Sequence, residues 1–301
     1  MRITELFTSG HPFPSLEIVP PPSGITQREL LDSIGPLMEF EPRYINVTTH
    51  RDEIQYTPLP DGSFRREVVR NRVSPVAVCA CIQAHFPVEV VPHIICSGHS
   101  AREIEWQLQD FRFMGIENVM ALRGDSLTGE KRFTPEADGY SHASELVGAI
   151  REQGGFCVGV GAYPEKHFEA ANLETDIEFL KAKVDAGADY VITQMFFDNR
   201  VFYRFVDKCR EAGITVPIIP GLKPLTTARQ VEMLPEAFSI DIPRELTQAV
   251  REAADPEAVR RTGIDWCIAQ CRDLLAHQVP AIHFYTMGKS KNVAEVLRAT
   301  F

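Results

Sequence analysis

Eight short runs of β-branched and other apolar residues recur along the chain, and they constrain its fold more than any other feature. They are Ser15–Val19, Tyr44–Thr49, Val90–Cys96, Asn118–Leu122, Phe156–Val160, Tyr190–Gln194, Thr215–Ile219 and Ala281–Tyr285. Most are apolar almost throughout rather than alternating, as parallel strands buried on both faces are. Helix signals separate them. Thr26 with Glu29 and Ser100 with Glu103 form capping boxes, in which a hydroxyl and a carboxylate satisfy free amides at a helix start. Leu173, Ile177, Leu180 and Val184 fall on one helical stripe. Gly115, Gly187 and Gly213 each close a helix-like segment just before a run, where a left-handed C-cap is commonly needed. Eight strand–helix units predict an α/β chain whose residues 1–301 form a single (β/α)8 TIM barrel domain. The segment from Arg51 to Arg72 breaks the rhythm, and Pro60-Asp61-Gly62 between two alternating arms predicts a hairpin inserted after strand two. An open doubly wound sheet is the competing architecture. Its only candidate fingerprint, Gly159-Val160-Gly161-Ala162, lacks a third glycine and leads into Tyr163-Pro164 instead of a helix.

The chain length of 301 residues suits one such barrel. No apolar stretch is long enough to span a membrane, and Met1-Arg2-Ile3-Thr4-Glu5 lacks a signal-peptide profile. Seven cysteines without a regular framework point to reduced thiols in a cytoplasmic protein. With 41 acidic against 31 basic residues, a nucleic-acid partner is not expected, and any anion-binding site must be local.

Polar residues collect at or just past the ends of the runs. Glu17 stands between Leu16 and Ile18, and Thr48, Thr49 and His50 end the second run. His93 lies in the third, Arg123-Gly124-Asp125 follows the fourth, and Tyr163 follows the fifth. Gln194 closes the sixth, while His283, Tyr285 and Lys289 surround the end of the eighth. In a barrel these ends converge on one mouth, where such folds place catalysis. Plainer roles exist for each. Glu17 alone reads equally as a buried ion-paired residue, and Arg123-Gly124-Asp125 as a turn. Histidines at strand ends commonly bond backbone, and with no metal-binding spacing present no metal site is expected. Cys267 and Cys271 read as core residues on one helix face, and Trp106 and Trp266 as packing residues.

Taken together, the strings SLEIVPP at 15–21, INVTTH at 45–50, ALRGD at 121–125, AYPEKHFEA at 162–170, KVDAGADYVITQMFFD at 183–198, IIPGLKP at 218–224 and HFYT at 283–286 are specific. In that order, from Ser15 to Tyr285, the chain resembles the methylenetetrahydrofolate reductase family. The resemblance implies a (β/α)8 barrel holding non-covalent FAD. It also implies hydride transfer from NADH or NADPH to the flavin and then to 5,10-methylenetetrahydrofolate, giving 5-methyltetrahydrofolate in ping-pong fashion. It implies Glu17 as the general acid that opens the five-membered ring, a role favoured where apolar neighbours disfavour charge. Asp125 is implied beside the pterin and flavin, where it offsets cationic charge. Gln194 would bind the folate, with Gln230 and Lys289 as further substrate contacts. Flavin contacts would include Thr48, His93, Arg123, Gly124 and His142. Others would be Tyr163, His167, Ala170, Asp176 and Lys183, with Lys183 and Arg123 supplying positive charge for the pyrophosphate. Family members usually form dimers or tetramers, so a homo-oligomer is expected. The C-terminal domain of eukaryotic members that responds to S-adenosylmethionine is not expected here.

The chain departs from the family pattern at four places. His142 replaces a tyrosine, Phe179 and Ala182 stand where bacterial members often carry asparagine and arginine, and Met287-Gly288-Lys289 replaces Leu-Asn-Arg. Lysine pairs with a carboxylate without the bidentate fork of arginine. A flavin-independent variant of the same reductase, a barrel that binds folate or flavin without turnover, and a folate-binding methyltransferase barrel are the alternatives.

Overall fold

The computed structural model describes residues 1–8, 10–126 and 133–301. Ten strands are present among them: β1 (Phe13–Ile18), β2 (Tyr44–Val47), β3 (Glu53–Pro58), β4 (Phe64–Val69), β5 (Glu89–Ile95), β6 (Asn118–Leu122), β7 (Cys157–Ala162), β8 (Tyr190–Met195), β9 (Ile218–Leu222) and β10 (Ala281–Tyr285). Eight of them close into a parallel barrel in the order β1-β10-β9-β8-β7-β6-β5-β2. The helices are α1 (Ile3–Leu6), α2 (Gln27–Ile34), α3 (Pro75–His85), α4 (Ala101–Phe113), α5 (Ala143–Gln153), α6 (Leu173–Asp185), α7 (Asn199–Glu211), α8 (Gln230–Phe238), α9 (Arg244–Glu252), α10 (Pro256–Ala276) and α11 (Ser290–Thr300). This is the (β/α)8 architecture that the eight apolar runs predict.

Strand pleating decides which side chains meet inside the barrel. Along β1, Leu16 and Ile18 join the large cluster between strands and helices. Their neighbours on the opposite face, Phe13, Ser15 and Glu17, therefore point inward. Phe13 belongs to an inner cluster with Tyr44, Tyr190 and Ile219, which Ile3 and Leu6 of α1 close from below. The floor is thus largely apolar and plugged, with Asn118 at the start of β6 accepting through Oδ1 from Ile3 N at 2.8 Å. The cavity-lining polar side chains lie toward the C-terminal ends of the strands.

Both predicted capping boxes are present, at the starts of α2 and α4. Each such cap is worth about 0.5–2 kcal/mol. Gly115, Gly187 and Gly213 take φ values of 73°, 116° and 79°, in the left-handed region their positions require. On α6, Ile177 and Leu180 are buried, with Leu173 and Val184 packed beside them.

Three details differ from the sequence reading. The seventh run lies three residues later, at Ile218–Leu222, because the barrel takes in Pro220 and Gly221, which strand propensity discounts. The second strand stops at Val47, leaving Thr48 and Thr49 at the mouth. Trp106 does not pack: it is 55% exposed on the outer face of α4. Trp266 does pack, donating from Nε1 to the Phe197 carbonyl at 2.9 Å.

Between β2 and α3, strands β3 and β4 pair antiparallel from Glu53↔Val69 to Pro58↔Phe64. This ribbon is tied to the barrel mouth by Arg72, whose Nη1 donates to the Pro20 carbonyl at 2.9 Å, and by Val73 N to Pro21 O at 3.0 Å. All seven cysteines are free, and Cys267 and Cys271 are buried on α10. No helix among the described residues is long and apolar enough to cross a membrane.

Candidate active site

The strand ends open into a cavity of about 2180 Å³. Sites for one small molecule are usually ~300–1,000 Å³, so there is room for a large cofactor together with a substrate. Its inner wall is built by strand register. Glu17 pairs with Asn46 on one side and Tyr285 on the other, which brings residues from β1, β2 and β10 to one level. Glu17 Oε2 lies 3.6 Å from His93 Nε2 and 3.9 Å from His283 Nε2. The carboxyl is therefore set among imidazoles rather than the apolar neighbours that the flanking Leu16 and Ile18 suggest. Burial pushes the His93 imidazole down to about 4, against the opposing pull of Glu17, so the ring is neutral. These histidines also bond side chains rather than backbone: His93 Nε2 to Asn46 Nδ2 (3.1 Å), His283 Nδ1 to Ser15 Oγ (2.9 Å) and His50 Nε2 to Thr48 Oγ1 (3.1 Å). His50 is held below the usual imidazole range by burial and by Arg72, while Asp125 and Glu17 pull it up.

The loop after β6 carries Arg123, Gly124 and Asp125 along the same cavity. Ser97 Oγ donates to the Asp125 carbonyl at 2.7 Å, pinning that loop to the one after β5. Gly124 has φ +82°, and a Cβ there would sit 2.8 Å from the Ser97 Cβ, so no larger residue fits. Asp125 presents an exposed carboxylate to the cavity. Gln194, at the end of β8, accepts from Met195 N at 2.9 Å through Oε1, which leaves its amide hydrogens for a ligand.

The opposite wall comes from the β7–α6 segment. Tyr163 and His167 meet edge to face with centroids 4.6 Å apart. Burial, with Asp125 and Asp176 nearby, pushes the Tyr163 hydroxyl up to about 12, so it remains a donor. Asp176 Oδ2 accepts from His167 N at 2.9 Å and fastens this segment to α6. Ala170 is buried, and its carbonyl accepts from Lys166 Nζ at 2.8 Å. One turn beyond Phe179, Lys183 donates to the Gly161 carbonyl at 2.6 Å, and burial pushes its ammonium down to about 8. Arg123 is less available than the sequence suggests, because Nη1 is paired with Glu169 Oε2 at 2.5 Å. His142 stands at the N-cap of α5, where its N–H donates to Glu145 Oε2 at 3.3 Å.

Thirteen of the sequence-predicted site residues thus line one cavity, and two do not. Gln230, buried at the start of α8, spends its Oε1 on Thr226 N (2.7 Å) and Thr227 N (3.3 Å). Lys289 is exposed at the N-cap of α11, while Met287 takes the place on the cavity wall. Sequence reasoning missed the contribution of the β3–β4 segment, from which Arg51, Arg66, Arg70 and Arg72 line the cavity. The signal was available: five arginines fall between positions 51 and 72 of an acidic chain.

A dinucleotide cofactor needs cations and donors for its phosphates and a slot for planar rings. Lys183, whose charge burial disfavours and which has a single carbonyl partner, suits a phosphate oxygen. Tyr163 and His167 add neutral donors on the same wall, and Thr48 lines the cavity from the end of β2. The residues present fit a flavin dinucleotide.

Comparison with known proteins resolves the family. The model of the methylenetetrahydrofolate reductase family matches residues 2–300. The chain belongs to the methylenetetrahydrofolate reductase family. It is 32% identical over 279 residues to the Salmonella typhimurium 5,10-methylenetetrahydrofolate reductase, covering 92% of this chain and 86% of that protein. It is 31% identical over 308 residues to methylenetetrahydrofolate reductase (NADH) 1 of Arabidopsis thaliana, covering 98% of this chain and 49% of that protein. The chain thus spans about half the length of the plant relative. Among solved structures, a Clostridium thermocellum protein that binds two copies of 5-methyl-5,6,7,8-tetrahydrofolic acid superposes with a TM-score of 0.64 at 13% identity. That match covers 100% of this chain and 98% of the other, and at such identity it attests the fold alone.

Proposed function

We propose that this chain is a flavin-dependent reductase of 5,10-methylenetetrahydrofolate that draws hydride from a reduced nicotinamide in a ping-pong cycle. The observation that carries the reading is the convergence of Glu17, Asp125 and Gln194 on one cavity with Lys183 on its far wall. Family membership supports the folate. Relatives named for NADH and for NADPH support a nicotinamide donor of either kind. Bound FAD would supply a hydride carrier between the two substrates. Non-covalent attachment would rest on Lys183 and Arg123 at the phosphates, with Thr48, His93, Gly124, His142, Tyr163, His167, Ala170 and Asp176 lining the remainder.

The chain's own residues handle the folate. The methylene carbon accepts hydride only after the imidazolidine ring opens to an iminium cation, and opening needs a proton on the departing nitrogen. Glu17 supplies it: the carboxyl reaches the cavity from the inner wall, and its nearest basic neighbour, His93, is neutral. Asp125 offsets the iminium charge from the loop after β6. Gln194 orients the pterin through its free amide hydrogens.

The test is direct. Purified protein should be yellow and release FAD on heating. In anaerobic stopped flow its absorbance should bleach with NADH or NADPH and return with 5,10-methylenetetrahydrofolate. Colourless protein that cannot be reconstituted yet still reduces the folate favours the flavin-independent variant. Yellow protein that never recovers colour with the folate favours a binding barrel without turnover.

A further inference from the structure

Glu17 stands between two imidazoles that differ in one respect. His93 Nε2, 3.6 Å from Glu17 Oε2, is already engaged by the Asn46 amide nitrogen at 3.1 Å. His283 Nε2, 3.9 Å from the same oxygen, has no hydrogen-bond partner although the residue is completely buried. A buried polar atom left without a partner is costly, and a fold keeps one where something is to be held. The ring itself cannot turn away. Its Nδ1 is tied to Ser15 Oγ at 2.9 Å, and it lies nearly parallel to the Tyr44 ring, 17° and 6.2 Å away. Tyr285 meets it edge-on at 89° and 5.2 Å, and Tyr285 is fixed in turn by its hydroxyl donating to the Thr193 carbonyl at 2.6 Å.

We propose that His283 is a positioning residue for Glu17: its Nε2–H donates to Oε2, so that Oε1 alone carries the acid proton toward the cavity. The inference rests on the reading of Glu17 as the general acid. With Ser15 as the donor to Nδ1, the ring proton is left on Nε2, facing the carboxyl. Bringing 3.9 Å to a normal hydrogen bond of about 2.9 Å needs a shift of about 1 Å by a side chain with rotatable bonds. His93 cannot do this work, because its Nε2 accepts from Asn46 and has no hydrogen to offer Oε2. Oε2 accepts from His283 whether Glu17 is an acid or a carboxylate, so the same contact serves before and after proton donation. The other ionisable groups facing the carboxyl are His50 and Tyr285; Tyr44 stacks on His283, and Asp125 and Arg72 face His50.

Gln and Asn separate the two nitrogens of the ring. A Gln amide reaches the place of Nε2, whereas an Asn amide stops at that of Nδ1. Half-reactions of the loaded protein are measured for wild type, His283→Gln, His283→Asn and Ser15→Ala, together with melting temperatures. A displacement of 1 Å can cost about 10²-fold, so His283→Asn should slow folate reduction by roughly that factor. His283→Gln should recover about tenfold of it, Ser15→Ala should lose about tenfold, and folate KM should stay unchanged throughout. Nicotinamide-driven bleaching should match wild type in every variant. Equal losses for Gln and Asn, or a parallel loss in the nicotinamide half-reaction, would overturn the proposal. Should neither His283 variant fold, an undiminished folate step in Ser15→Ala overturns it as well. Wild-type protein that fails to reduce the folate strikes the functional reading instead, whereas active wild type with unaffected variants strikes only the role of His283.

Discussion

The two walls of the cavity are built differently. On the inner wall, Glu17, His93 and His283 sit on strands, and hydrogen-bonded register fixes the level of each, while Gln194 sits where the β8–β9 register shifts. On the outer wall, Arg123, Asp125, Tyr163 and His167 sit in loops, and each is held by one or two local bonds. Lys183 is on a helix but reaches the cavity only by bonding the Gly161 carbonyl. A strand places a side chain to within a fraction of an ångström at no further cost, which general acid catalysis requires. A loop holds charge less exactly, which suffices for neutralising phosphates or a cation. On the proposed function, bond-making and proton transfer fall to the inner wall and electrostatics to the outer one.

The largest expected effect tests the inner wall. Glu17→Gln keeps shape and hydrogen-bonding capacity while abolishing proton donation. Folate reduction should fall by about 10²–10⁴-fold, with nicotinamide-driven bleaching close to the wild-type rate. The variant should remain yellow and still pass electrons to a quinone such as menadione. A Gln variant that reduces the folate at near-normal rate removes Glu17 as the acid and, with it, the division between the walls.

The outer wall should respond less steeply. Asp125→Asn removes an exposed negative charge that the proposed mechanism sets against the developing iminium ion, worth about 1–3 kcal/mol or roughly ten- to a hundredfold. The loss should be greater in folate reduction than in nicotinamide oxidation. Equal losses in both half-reactions would give Asp125 a structural role in the loop after β6. Raising salt should shrink the Asp125 effect and leave the Glu17 effect unchanged, since only the former acts through a screened field.

How much of this was legible in the sequence follows the same division. The barrel was, because parallel strands buried on both faces leave apolar runs that need no partner to recognise. Glu17 was visible as a charge breaking such a run, and pleating turns that position inward. What surrounds it was not: Leu16 and Ile18 are neighbours in sequence but face the helices, while His93 and His283 come from strands 76 and 266 residues away. Loop residues such as Arg123 and Tyr163 were legible only through resemblance, since no periodicity governs them. Resemblance in turn could not reveal that Glu169 already occupies Arg123, or that Gln230 is spent on the backbone of Thr226 and Thr227. The arginines between positions 51 and 72 were visible as a basic cluster in an acidic chain, but a segment that reads only as a hairpin gave them no place at the mouth.

Lys183 offers a pH-dependent test of the outer wall. Burial holds its ammonium near 8 in the free protein, and a bound phosphate would raise that value. FAD affinity of the apoprotein should therefore be level below about pH 8 and fall as pH rises through it. Lys183→Met should weaken FAD binding by roughly tenfold at pH 7 and flatten this pH dependence. Fluorescence titration of apoprotein with FAD measures both. A slope that survives in the Met variant assigns the titration to another group.

The smallest effect concerns what holds the outer wall in place. Glu165, two residues after Tyr163, accepts from Asp241 N at 3.1 Å through Oε2 and so joins the loop after β7 to the turn before α9. Burial raises its carboxyl to about 7, with Asp241 and Asp198 adding to the rise against the hydrogen bond from Asp241. In the unfolded chain this group ionises near 4.5, and in the fold only near 7. Stability it contributes is thus fully present below about 4.5, is lost as pH rises through about 7, and stays lost above. Glu165→Gln retains the acceptor and removes the charge, so the variant should match wild type at pH 4.5 and melt higher at pH 8. At about 2–4 °C per kcal/mol for a chain of this size, and with part of the charge screened by solvent, a rise of roughly 2 °C is expected. Both half-reactions should be unaltered at pH 7, because the inner wall does not lean on this loop. A Gln variant that melts lower at pH 8 means the carboxylate itself ties the two loops together, and one whose folate step slows means the walls are not independent.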